Sequence, residues 1–186
     1  MRRRGGGAVG IAAAAAVVTA AVTVIVAPAT ARAERPAAEV IATQPLALVA
    51  RGVAVSYERR IAPRVSAVGL GGLRAAALED YGSWTVMAGG ELRVWLREAT
   101  PMRGPFLALH ASAAHTRVSD DVMGDLGGST ALSQRLDVGW RFTIRGRVAI
   151  APTAGLGVRE DLDSTGRLAT TARGQLAIGL EVGWMR

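Results

Sequence analysis

Hydrophobic and polar positions alternate strictly over two long stretches of the chain, 84–97 and 132–145. In the first, Trp84, Val86, Leu92, Val94 and Leu96 share one parity, and Glu91, Arg93, Trp95 and Arg97 the other. In the second, Leu136, Val138, Trp140, Phe142 and Ile144 alternate with Arg135, Asp137, Gly139, Arg141 and Thr143. Successive side chains of a strand point to opposite faces, so a period of two predicts strands. Each run is fourteen residues long, and strands of soluble proteins usually stop near 5–6. Fourteen residues at about 3.3 Å each reach roughly 46 Å. A strand that long, oily on one face and charged on the other, separates two solvents. The pattern predicts a closed transmembrane barrel, apolar toward lipid and polar toward its lumen.

The remaining chain supplies the other strands. Weaker alternation predicts strands over 65–74, 105–117 and 148–159, and a last one where Leu176, Ile178, Leu180, Val182 and Trp184 share a parity. Before 62 the phase slips at Arg51-Gly52: Leu46 and Leu48 are even, whereas Val53, Val55 and Tyr57 are odd. A one-residue slip moves every side chain to the other face. Either a bulge or a tight turn sits there; because a chain that starts in the periplasm needs one more upward strand, a hairpin turn is expected, dividing the segment into strands of about 39–50 and 53–61, with Pro45 inside the first. Connections alternate in length. Segments 62–64, 100–104 and 145–147 are short, and 75–83, 118–131 and 160–171 are long. Short turns belong on the periplasmic side of such barrels and long loops outside.

The fold class predicted is all-β: an eight-stranded antiparallel up-and-down transmembrane β-barrel preceded by a signal peptide. Arg2, Arg3 and Arg4 precede an apolar run, and Ala31-Arg32-Ala33 has the small-x-small form of a signal peptidase site. The domains expected are a cleaved signal peptide over 1–33, a short N-terminal extension over 34–37, and the barrel over 38–186.

Charge adds one correction to first appearances. The basic side chains are all arginine. Four of the 22 lie before residue 34 and all 15 acids after it, so the segment from Glu34 carries 18 against 15, a net +3. No basic cluster with interleaved aromatics remains, which argues against nucleic-acid binding. There is no cysteine, hence no disulfide or thiol chemistry.

Eight strands enclose only enough room for side chains to fill. The inward charges Glu91, Arg93, Arg135, Asp137, Arg141 and Glu181 are therefore expected to neutralise one another, with Trp95 plugging the lower end. Trp140, Phe142 and Trp184 fall near the predicted periplasmic ends, where an interfacial aromatic girdle belongs.

These features resemble the small eight-stranded outer-membrane barrels of the OmpA, OmpX and OmpW kind over roughly 38–186. The resemblance rests on the signal peptide, the strand and loop rhythm, the segment Val55-Ser56-Tyr57-Glu58-Arg59-Arg60, and the closing strand up to Trp184. It implies a cell outer-membrane location, surrounding lipid and lipopolysaccharide, a monomer, and a last strand read by the barrel insertion machinery. Met185-Arg186 after the terminal aromatic departs from the family pattern. The class includes structural barrels, adhesion or resistance proteins, small pores and lipid-modifying enzymes.

Candidate chemistry is sparse. His110 and Ser112 form a His-x-Ser pair, and hairpin register across 100–104 sets Glu91 opposite His110. The trio resembles that of outer-membrane lipid A deacylases, where His activates Ser. All three face the predicted lumen, away from a lipid substrate, so polar filling is the reading adopted. Asp120, Asp121 and Asp125 lack a calcium-loop spacing and read as a solvated loop. His115, near a strand end, is expected to be exposed. With no phosphate-cradling loop and no paired His or Cys, no catalytic, cofactor or metal residue is assigned. The expected role is non-enzymatic, structural or interactive through the outer loops. The alternatives are a lipid A deacylase-like barrel enzyme, a narrow pore or carrier for small apolar molecules, and a soluble lipocalin-like binder with its oily face inward.

Overall fold

A computed structural model describes residues 39–49, 51–78, 81–97, 102–120, 122–162 and 172–186. The expected signal peptide at 1–33 and the extension at 34–37 lie outside these. Eight strands follow in order: β1 (Glu39–Thr43), β2 (Gly52–Ala62), β3 (Val65–Leu78), β4 (Tyr81–Trp95), β5 (Gly104–Asp120), β6 (Gly124–Ile144), β7 (Val148–Leu162) and β8 (Arg173–Met185). Each pairs antiparallel with its neighbours in sequence, and β1 pairs with β8 to close the ring. No edge strand is left at the ends of the order, as a spanning barrel requires.

The faces fall as the alternation predicts. Glu91, Arg93 and Trp95 are buried, while Leu92, Val94 and Leu96 between and beside them are exposed. On β6, Asp137 and Arg141 are buried, and Leu136, Val138, Trp140, Phe142 and Ile144 face out. The soluble lipocalin-like alternative needs the reverse arrangement, and the structure contradicts it.

Two expectations are corrected. The first strand does not run over 39–50. It stops at Thr43, and Pro45 begins a single helical turn, α1 (Pro45–Val49). Proline has no N–H for the ladder, and its fixed φ suits a helix start. The ring consequently closes over only four residue pairs, from Val40–Met185 to Thr43–Val182, with α1 packed on β2 and β8 above. The second correction concerns the outer loops. Most of 75–83 and 118–131 is strand: β3 and β4 stay paired out to Leu78–Tyr81, and β5 and β6 to Asp120–Gly124. The glycines and acids of these segments look like loop in a sequence, yet the ladder carries through them. A bulge where pairing shifts at Val118/Ser119, beside Gly127 at φ 109°, absorbs the irregularity. Part of the third long loop, 163–171, lies outside the described residues.

At the opposite end the turns are tight. Arg145 (φ 50°) and Gly146 (φ 70°) occupy the left-handed region in succession, and the Arg147 N–H donates to Ile144 O at 3.1 Å. Two positive φ values at the centre of the 144–147 turn match the twist of a hairpin. Arg51 (φ 56°) turns the chain from α1 into β2, as the phase slip requires.

Candidate functional site

The barrel interior is built in layers from the end that carries the tight turns. The lowest is apolar. Trp95, Met102, Phe106, Val40 and Ala108 are buried together, and the rings of Trp95 and Phe106 lie 5.0 Å apart. Gly139 pairs with Phe106 across β5 and β6. A side chain at 139 would meet the Phe106 ring, so glycine is needed for the plug to seat.

Above it lies a charged layer. Arg93, 1 % exposed, donates from Nη1 to Glu58 Oε2 at 2.8 Å and from Nη2 to Glu181 Oε1 at 2.7 Å. Its Nε donates to Glu91 Oε1. Arg141 donates from Nη2 to Glu58 Oε2 at 2.5 Å. Ser66 Oγ donates to Glu58 Oε1 at 2.5 Å and accepts from Trp95 Nε1 at 3.0 Å, joining the plug to the network. The guanidiniums rest on its rings: Arg93 is 4.8 Å from the Phe106 centroid and Arg141 5.0 Å from that of Trp95. Planar guanidinium suits both a carboxylate pair and an aromatic face, which lysine would not match. The mutual neutralisation expected of the lumen charges is thus realised for Glu91, Arg93, Arg141 and Glu181. Glu58 and Ser66 join them, neither of which stood out beforehand. Glu58 was legible as an inward parity position of β2, opposite the outward Tyr57.

One layer higher, β4, β5 and β6 bring Glu91, His110 and Asp137 together. Glu91 pairs with His110 in the ladder, and His110 with Arg135. His110 Nε2 is 3.1 Å from Ser112 Oγ, and His110 Nδ1 is 3.6 Å from Glu91 Oε2. The order Ser–His–Glu is that of a nucleophile relay. The second gap exceeds hydrogen-bond length, and His110 Nδ1 is buried without a hydrogen-bond partner. Asp137 accepts from Arg135 Nε at 2.6 Å. A cavity of about 80 Å³ opens among Glu91, Arg93, Arg135, Asp137, Thr153 and Glu181.

The other candidates are ordinary structure. Asp120 Oδ1 accepts from the Val122 and Met123 N–H groups, both at 2.7 Å, and so caps the β5–β6 turn. Asp125 accepts from the Gly127 N–H at 3.0 Å and pairs with Arg117. Asp121 lies outside the described residues. His115 is half-buried rather than exposed, because its Nδ1 bonds Thr130 Oγ1 at 2.9 Å and Trp84 packs edge-on beside it. Trp140, Phe142 and Trp184 do sit on the outer face near the tight turns, and Tyr81 and Trp84 are exposed near the other end. There, a groove of about 480 Å³ is lined by Leu48, Arg51, Val53, Leu73, Arg74 and Trp84.

No family model and no curated protein matches the sequence. Among solved structures, the chain is similar in course to the attachment invasion locus protein Ail of Yersinia pestis, with a TM-score of 0.44 and 10% identity over 81% of this chain and 97% of that one.

Proposed function

We propose that this chain is a small outer-membrane barrel with a sealed lumen, non-enzymatic, that stabilises the envelope and presents its outer hairpins to the surroundings. The observation that carries this reading is the inverted distribution of polarity. Arg93, Arg141 and Glu58 are among the most deeply buried side chains, whereas Leu109 and Leu136 are 60% and 59% exposed. A water-soluble barrel would lose on both faces. Lipid around the wall removes the cost outside, and ion pairing offsets much of it inside.

The sealed lumen argues against the pore alternative. The plug of Trp95 and Phe106 and the network above it fill the lower half, among the described residues. The deacylase alternative is disfavoured because Ser112 faces the lumen, with the strand wall between it and any acyl chain. The hairpin of β5 and β6 is the natural display element. β6 has 21 residues and its turn exposes Val122 (90%) and Met123 (74%). At about 3.4 Å per residue a strand of that length far exceeds the ~25 Å apolar band. Arg51 and Arg74 beside the apolar Leu73 and Trp84 of the outer groove support lipopolysaccharide as its neighbour.

Cell fractionation with a heat-modifiability gel tests the location. The folded protein should sediment with outer membrane and migrate anomalously until boiled. Recovery in the soluble periplasmic fraction contradicts the proposal. In planar bilayers no unitary conductance should appear, and lipid A incubated with the protein should keep its acyl chains.

A further inference from the structure

We infer that Glu91, His110 and Asp137 form a binding site for a divalent transition-metal ion of the zinc type inside the barrel. Three independent features of the interior converge on it.

The first is geometry. One donor atom from each of the three residues lies within 4.8 Å of the other two. Neighbouring ligands of a tetrahedral ion with bonds of about 2.1 Å stand roughly 3.4 Å apart. The separation of His110 Nδ1 and Glu91 Oε2 is 3.6 Å, too long for a hydrogen bond and close to that edge. One imidazole and two carboxylates are a donor set for zinc or manganese, and the small polar cavity beside the cluster is bordered by two of its members, Glu91 and Asp137.

The second is the orphaned nitrogen. His110 is 5% exposed, and its Nδ1 has no hydrogen-bond partner. If Nε2–H donates to Ser112, Nδ1 presents a bare lone pair to a carboxylate oxygen. If Ser112 donates instead, the Nδ1 proton points across a gap too long to bond. Either neutral tautomer leaves a buried polar atom unsatisfied, which is costly, and an imidazolium would still face Glu91 Oε2 across 3.6 Å, beyond hydrogen-bond length. A cation between Nδ1 and Oε2 satisfies both.

The third is charge and orientation. Among the described residues, the four buried carboxylates Glu58, Glu91, Asp137 and Glu181 share three arginines, Arg93, Arg135 and Arg141, so with His110 neutral the carboxylates outnumber the guanidiniums by one. The arginines beside the cluster each hold one oxygen of its carboxylates. Arg93 Nε donates to Glu91 Oε1, which leaves Oε2 toward His110, and Arg135 Nε donates to Asp137 Oδ1. Ser112 fixes the ring through Nε2. All three ligands are thus oriented from behind, as at built metal sites. Gly155 completes the cradle, since a Cβ there would meet the Asp137 carboxylate.

Cobalt(II) reports the site directly, because four-coordinate Co2+ absorbs visible light far more strongly than the hydrated ion. The test uses the full chain folded in detergent micelles, with folding checked by heat modifiability. Stoichiometric Co2+ should give this absorption, and one equivalent of Zn2+ should bleach it. The chain has only two histidines, so His115→Ala should keep the bands and His110→Ala abolish them. Asp137→Asn, nearly isosteric and able to keep the Arg135 bond, should fold and weaken Zn2+ competition at least about tenfold. No bands in the parent protein, bands that depend on His115 instead, or parental affinity in folded Asp137→Asn would each overturn the inference.

Discussion

Arg93 on β4 and Glu181 on β8 meet across the middle of the barrel, with Nη2 of the one 2.7 Å from Oε1 of the other. These strands are four places apart in the ring. Their contact is therefore a strut through the lumen, tying the wall to the strand that closes it. That strut stands in for the short seam between β1 and β8, which has only four residue pairs.

Arg93→Met keeps much of the side-chain length and removes the charge, leaving Glu58, Glu91 and Glu181 short of their shared partner. Breaking a buried ion pair from one side costs about 3–5 kcal/mol. Urea unfolding in detergent should show a loss of that order. Asp137→Ala should cost less, since its partner Arg135 is 22% exposed at the side chain and water can reach it. Equal losses for the two would count against a hub at Arg93.

Gly139→Ala places a methyl group against the Phe106 ring. Overpacking of this kind costs about 1–3 kcal/mol. Gly174→Ala is the control, because nothing lies within 4 Å of a Cβ at that position. Thermal unfolding should separate the two variants, and similar behaviour would mean that the plug yields easily.

Val138→Arg puts a charge on the outward face of β6, six residues from its lower end at Ile144. At the centre of a bilayer this should cost roughly 2–4 kcal/mol. Thr143→Arg, on the inward parity close to the turn, should be mild. Refolding yield into lipid vesicles measures the difference. In detergent the penalty should shrink, because micelles deform around a charge more readily than a bilayer.

The sequence carried the wall and the polarity of its faces, since each face is exposed to a different medium and every residue reports its side by parity. Strand count and the Glu91–His110 register followed from the short turns. The first strand ends short of 46–50, a segment apolar enough to pass for wall, because Pro45 decides the backbone locally. The outer loops were misread for the reverse reason: glycine and aspartate read as turns, yet a ladder already aligned by strong neighbours extends through them. Arg135 and Asp137 were visible as inward charges. Their gathering with Glu91 and His110 was not, because it depends on the stagger of three strands, which local alternation does not encode.

On the proposed function, the oily face of this barrel meets lipid, and spin labels read that contact directly. The chain has no cysteine, so a single Leu136→Cys or Ala114→Cys can carry a nitroxide label without competition. Leu136 points outward and Ala114, on the inward parity of β5, toward the upper lumen. In lipid vesicles, the label at 136 should relax strongly with dissolved oxygen and weakly with a water-soluble nickel chelate, and the label at 114 should not show this lipid signature. A label at 136 that is as open to nickel as a free one in water would mean that this face meets water and that the barrel does not sit in a membrane.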